Sequence, residues 1–187
     1  MSQRYYLENQ IYFVTTKTHQ GFEYFKEEIF CDLLVDNLSI CKKLKQFDLY
    51  AFCILFEHLH LMLKPLGKYN ISQIIKSLKE NVSCDINRVM NTKVTETPAS
   101  RLQWIYKNKG IDLYSYRKKF QKKYNKNQIV IPKFKWNKSF YDHIIRNEKD
   151  FHNHYNYTAY NFQKHNLPKN WKYTSFNFPD LLDNFSF

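Results

Sequence analysis

Hydrophobic spacing divides this chain into short-period and long-period stretches. Residues 11–16 are a β-branched and aromatic run (Ile11, Tyr12, Phe13, Val14, Thr15, Thr16) and predict a first strand. From about 26 to 45, Ile29, Leu33, Leu34, Leu38, Ile40, Cys41 and Leu44 recur at helical spacing. Residues 49–55 are apolar enough for a buried strand. Another strand follows from near His58 to just before Pro65, and the short connection predicts a hairpin. Ser72 is placed to cap a helix reaching about 90, with Ile74, Ile75, Leu78 and Val82 on one stripe. Between about 91 and 127 the pattern changes. Pro98, Gly110 and a basic run mark an insertion with some helix. Extended segments are predicted at 129–134 and 136–145, and Asn147 opens a helix expected to reach about His165. Strand, helix, two strands, helix, insertion, strand, helix is a ferredoxin-like α+β order. It predicts an antiparallel sheet with helices on one face and the other face open for chemistry.

Two places in this pattern carry chemistry. In Phe56-Glu57-His58-Leu59-His60-Leu61-Met62-Leu63, the histidines stand two apart, so a strand presents both on one face while Leu59 turns into the core. Two imidazoles on a rigid strand begin a divalent metal site. Glu57 is expected on the opposite side and is not counted as a ligand. In the last helix Tyr157 and Asn161 share a face at i and i+4, whereas Tyr160 points about 100° away from Asn161. An amide oxygen can complete a coordination begun by imidazoles. A phenolate can attack a phosphorus whose oxygen a metal polarises. His154 and His165, near the same face, read as surface or DNA-backbone residues rather than ligands.

Charge narrows the partner. Lys and Arg outnumber Asp and Glu by 29 to 17, a formal net charge of +12, which favours a polyanion. The basic residues Arg117, Lys118, Lys119, Lys122 and Lys123 are candidate phosphate contacts, as are His143 and Arg146 further on. The cysteines Cys31, Cys41, Cys53 and Cys84 form no CxxC pair and predict free thiols. No signal-peptide core and no bilayer-length apolar run is present, so the expectation is a cytoplasmic protein without a membrane partner.

The His58-Leu59-His60 strand resembles the signature of HUH single-strand DNA endonucleases. Within them, the chain resembles the REP-associated group of the single-tyrosine insertion-sequence transposases. Three further segments carry the resemblance, in the family's order. Trp136-Asn137 with Tyr141-Asp142-His143-Ile144-Ile145-Arg146-Asn147 is similar to the family's Trp-Gln…(Phe/Tyr)-Asp-His-x-Ile-Arg-Asn. Tyr157-Thr158-Ala159-Tyr160-Asn161 is similar to its Tyr-Ile-x-x-Asn-Pro, and Trp171 to Phe176 to its closing Trp-Pro-(Trp/Phe)-Ser-Ser-(Phe/Tyr). This chain has Asn137 for the glutamine, Phe162 for the proline, and Asn166 for the glycine that ends the tyrosine helix.

The resemblance implies a single HUH domain with a basic insertion at about 91–127 and a C-terminal extension at about 167–187. It implies Tyr157 as the nucleophile that becomes joined to a DNA 5′-phosphate. His58, His60 and Asn161 would be the ligands of Mg²⁺ or Mn²⁺, and single-stranded or hairpin DNA the substrate. A monomer is expected, with Tyr157 acting beside its own histidines. The alternative is a catalytically silent DNA- or RNA-binding regulator on the same fold.

Overall fold

Four strands, β1 (Tyr12–Lys17), β2 (Phe47–Ile54), β3 (His58–Pro65) and β4 (Tyr141–Ile144), form one antiparallel sheet in the order β2-β3-β1-β4. They are seen in a computed structural model that describes residues 7, 9–90, 110–124 and 131–185. This is the ferredoxin-like order expected. The rest of the 91–127 insertion lies outside the described residues.

Helix α1 (Glu28–Lys45) joins β1 to β2, α2 (Ile71–Met90) follows β3, and α3 (Leu113–Tyr124) packs on α2 and α1. Their apolar stripes meet one sheet face. There Val14, Phe52, Leu59, Leu61 and Leu63 join Phe30, Leu34, Ile75, Leu78 and Phe120 in the main core. Register shifts in β2 between Leu49 and Ala51, so Leu49 and Phe52 both face the helices while Tyr50 and Ala51 both face the other way. A uniformly apolar strand hides such a bulge from sequence. The cap of α2 is Asn70 rather than Ser72. Asn70 Oδ1 accepts from Gln73 N–H and Gln73 Oε1 accepts from Asn70 N–H, both at 3.0 Å, a reciprocal box.

The expected strand over 136–145 is shorter. Trp136 makes one isolated bridge to Thr18, and the carbonyls of Asn137, Lys138 and Ser139 accept from the Lys79 ammonium at 2.7, 3.4 and 3.4 Å. Carbonyls held by a side chain leave the ladder, and pairing resumes only at Tyr141.

The expected helix over 147–165 is two helices, α4 (Glu148–Ala159) and α5 (Asn161–Lys164). Asn147 caps α4 as expected, its Oδ1 accepting from Asp150 N–H at 2.9 Å. The break has a cause: the Ala159 carbonyl accepts from Thr174 Oγ1 at 2.8 Å, while Gln163 N–H turns back to Tyr160. Asn166 closes α5 in the left-handed conformation at φ 54. Leu167 N–H bonds Phe162 O at 3.0 Å, Asn166 N–H bonds Gln163 O at 3.2 Å, and Leu167 packs against Phe162.

Helices lie on both faces of the sheet rather than on one as expected, because α4 and α5 bury the apolar residues of the face that α1 and α2 leave free, through Phe13, Met62, Phe151, Cys53 and Phe162. The segment 171–183 straps them down along β2. Trp171 Nε1–H donates to Ile54 O, Phe52 N–H donates to Ser175 Oγ, and Leu49 N–H donates to Asp183 Oδ2, all at 2.7 Å. All four cysteines are free thiols; Cys31, Cys41 and Cys53 are buried, whereas Cys84 is exposed. No helix among the described residues is long and apolar enough to cross a membrane.

Candidate active site

β3 alternates as its sequence demands. Leu59, Leu61 and Leu63 enter the main core, and His58 and His60 point to the opposite face, each only 3% exposed. The rings stand edge to face, with Nε2 atoms 3.1 Å apart. Each Nδ1 is already engaged. His58 Nδ1 lies 2.8 Å from Glu57 Oε1, and His60 Nδ1 lies 2.8 Å from Thr15 Oγ1. Donation through Nδ1 leaves the Nε2 lone pairs facing one another, a costly arrangement unless a cation or proton stands between. A six-coordinate ion held at about 2.1 Å places neighbouring donors about 3.0 Å apart, which this pair satisfies. Burial lowers the pKa of His58, against the opposing pull of Glu57. Burial, then the charges of His58, His165 and Lys17, pushes His60 down to about 3. Both rings are therefore neutral at neutral pH.

Glu57 is not turned away, as alternation had suggested. It precedes the first residue of β3, where strand geometry no longer holds, and its carboxylate reaches back to His58. Thr15 is the other orienting residue missed by sequence reasoning. Only the β1–β3 register, which pairs Thr15 with His60, reveals it. His165 also stands closer than expected. It is exposed, but its ring centroid is 4.9 Å from that of His58, and donor atoms of Glu57, His58 and His165 lie within 4.8 Å of one another.

α4 brings the tyrosine. The Tyr157 ring stands edge-on to His60 at 5.3 Å and to Phe13 at 5.7 Å, with Lys164 Nζ 4.4 Å from its centroid. It is 38% exposed and accessible to a large substrate. Tyr160, the neighbouring candidate, packs instead on Phe176. Asn161 is fully buried, and its carboxamide lies close enough to act on the protonation of His60. Among the described residues, neither Oδ1 nor Nδ2 of Asn161 has a hydrogen-bond partner. A buried amide left unpaired in a folded protein needs an explanation, and an ion between it and the imidazoles supplies one. Tyr157 and Asn161 thus converge, though not along one continuous helix: the break at Tyr160 lies between them.

The other predicted residues are elsewhere or otherwise occupied. Arg117, Lys118, Lys119, Lys122 and Lys123 lie on α3, in the helical layer on the far side of the sheet. Lys123 is paired with Glu27 at 2.7 Å, and Lys118 and Lys119 lie over Tyr114 and Tyr116. His143 is on the histidine face, opposite Phe13 in the ladder, and its Nε2 meets Asp150 Oδ2 at 3.0 Å. It stacks on His154, whose Nδ1 is 2.9 Å from Asp150 Oδ1. That cluster clamps β4 to the start of α4. The Arg146 side chain is exposed, and its N–H donates to Asp150 Oδ2 at 3.0 Å.

Two buried imidazoles with Nε2 atoms 3.1 Å apart, a buried amide without a partner among the described residues and an exposed phenol thus gather on one face of the α+β sheet. The IS200-like transposase family model matches residues 6–107, more than half of the chain, and the protein belongs to this family. A Haemophilus influenzae protein named as a REP-associated tyrosine transposase is 29% identical over 134 residues. That match takes in 70% of this chain and spans 59% of the relative's length. The solved structure of a REP-associated tyrosine transposase bound to a REP hairpin superposes with a TM-score of 0.60 at 19% identity. The overlap covers 94% of this chain and 82% of that one, so the two share a fold.

Proposed function

We propose that this transposase-family protein is a metal-dependent endonuclease and strand transferase for single-stranded DNA. The observation that carries the reading is the convergence of the His58 and His60 Nε2 atoms, the unpaired Asn161 carboxamide and the Tyr157 ring. His58, His60 and Asn161 would hold Mg²⁺ or Mn²⁺, which when bound supplies Lewis-acid polarisation of the scissile phosphate and offsets its charge. The Glu57 carboxylate accepts from His58 Nδ1 and so presents its Nε2, and the Thr15 hydroxyl can accept from His60 Nδ1 in the same way. Tyr157 Oη forms a bond to phosphorus and its proton leaves to solvent. The bond from phosphorus to the 3′ oxygen breaks, and that oxygen takes up a proton to become a free 3′-OH. The energy of the broken diester is retained in the 5′-phosphotyrosine, and attack by another 3′-OH reverses the step.

Hairpin or imperfectly palindromic DNA is the proposed substrate, supported by the family and by the hairpin held in the solved relative. The strap of 171–183 supports a monomer acting in cis. Thr174 holds Ala159 beside β2, and Tyr157 lies against His60 of its own chain.

The experiment is incubation with labelled hairpin and linear single strands plus Mn²⁺. A covalent protein–DNA adduct is expected from the wild type and none from Tyr157→Phe. Mixing Tyr157→Phe with His58→Ala should restore nothing. Recovery would show that tyrosine helices are exchanged between chains. Tight DNA binding without any adduct would instead favour the silent-regulator reading.

A further inference from the structure

The basic run on α3 lies within the helical layer, whereas a second basic surface lies where α2 of that layer meets the segment leading into β4. Between α2 and the segment 133–140 lies an open groove of about 1040 Å³. Among the described residues its rim carries Lys76, Lys79, Arg88, Lys133, Lys135 and Lys138 against a single carboxylate, Glu80. Its lining is mainly apolar, with Ile75, Trp136 and Phe140 contributing.

The sequence Lys133-Phe134-Lys135-Trp136 explains the arrangement. In an extended chain alternate side chains point opposite ways. Phe134 is buried against Tyr24 and Phe25, while Lys133 and Lys135 are exposed. The segment is held rigidly. Asn87 pairs with both polar groups of Phe134, accepting from its N–H at 2.8 Å and donating to its carbonyl at 3.0 Å. Lys79 gathers the next carbonyls, and Asn137 N–H donates to Lys17 O at 2.9 Å. Lys17 is the residue paired with His58. The groove wall is therefore anchored at the end of β1 that pairs with His58.

We propose that this groove binds a single-stranded stretch of the DNA whose neighbouring phosphate is cut at Tyr157. Its phosphates would lie on Lys133, Lys135 and Lys138, with a base against Trp136 or Phe140. The inference rests on the nucleic-acid reading of the active site. A cationic rim over an aromatic lining is the combination that holds unpaired nucleotides, because every base has a face to stack and every linkage a charge to neutralise. A duplex keeps its base faces hidden and cannot use that lining.

The test measures binding of fluorescent oligothymidylate across a salt series in excess chelator, so that no cleavage intervenes. The triple variant Lys133→Gln, Lys135→Gln, Lys138→Gln should bind at least tenfold more weakly at low salt. Its log–log salt slope should fall by about 2, at roughly 0.7 per single-strand phosphate. The matched variant Arg117→Gln, Lys118→Gln, Lys122→Gln should keep the wild-type slope. Oligonucleotides carrying 5-iododeoxyuridine should photocrosslink to Trp136 or Phe140, and blunt duplex should not suppress the crosslink. A groove variant with wild-type affinity and slope, crosslinks confined to other elements, or equal competition by duplex would overturn the proposal. Adduct formation with Mn²⁺ is scored separately. A wild type that forms the adduct while the groove variant binds normally loses the groove and keeps the nuclease. A groove that binds without any adduct keeps the groove and loses the nuclease.

Discussion

The two faces of β3 are built on one backbone and buried to the same depth, yet they do opposite things. Leu59, Leu61 and Leu63 are fully buried on one side, where burial itself is the stabilising event. His58 and His60, equally hidden on the other, bring polar rings whose second nitrogens face one another, beside an amide with no partner among the described residues. Burial therefore does not separate structural from functional residues in this sheet. What sets the proposed site apart is that several such polar groups meet at one place, where each unpaired atom away from water costs free energy until something binds it.

The sharpest test of that contrast substitutes neighbours on the same strand. His60→Ala should abolish adduct formation and Mn²⁺ binding while leaving the melting temperature nearly unchanged, and excess chelator should reproduce the loss in the wild type. Leu61→Ala should destabilise the fold by about 2–5 kcal/mol in denaturant unfolding, yet at low temperature the folded fraction should still form adduct. Equal destabilisation by both changes would break the distinction between the faces.

A smaller effect is expected one layer out. Glu57→Ala and Thr15→Val should each weaken metal affinity or cleavage by about 10- to 100-fold, the range for residues that orient a ligating imidazole. Glu57→Gln, which keeps an acceptor for His58 Nδ1, should recover part of the loss. Full activity in all three variants would show that the imidazoles need no orientation from β1 or from the residue before β3. The smallest effect belongs to Thr174→Val. Removing the donor to the Ala159 carbonyl should cost about 1 kcal/mol of stability and slow adduct formation a few-fold by loosening Asn161. Unchanged kinetics would show that the break in the tyrosine helix is held by other contacts.

Much of this was legible along the chain. A β-branched and aromatic run located β1, the two-residue spacing located the histidine face of β3, and Asn147 marked the start of α4. The loudest electrostatic signal pointed to α3, whose placement against α2 and α1 no local pattern encodes. Net charge is a property of composition, whereas its distance from a site is a property of packing. The spacing of Tyr157 and Asn161 suggested their meeting for a reason that holds only in part, since a hydroxyl 15 positions later in the chain interrupts the helix between them.

The sequence alone determined which groups could meet across short separations. His58 and His60 must share a face because strand geometry has a period of two, and Asn166 could end α5 because asparagine tolerates positive φ. Tertiary structure decided everything that depends on register between distant segments. The pairing of Thr15 with His60, the approach of Tyr157 and Asn161 to the imidazoles, and the strap from Thr174 all cross long stretches of chain. Local backbone geometry repeats over a few residues and so can be read from spacing. Contacts between remote segments are selected only when the whole core closes, and they leave no periodic trace in the chain.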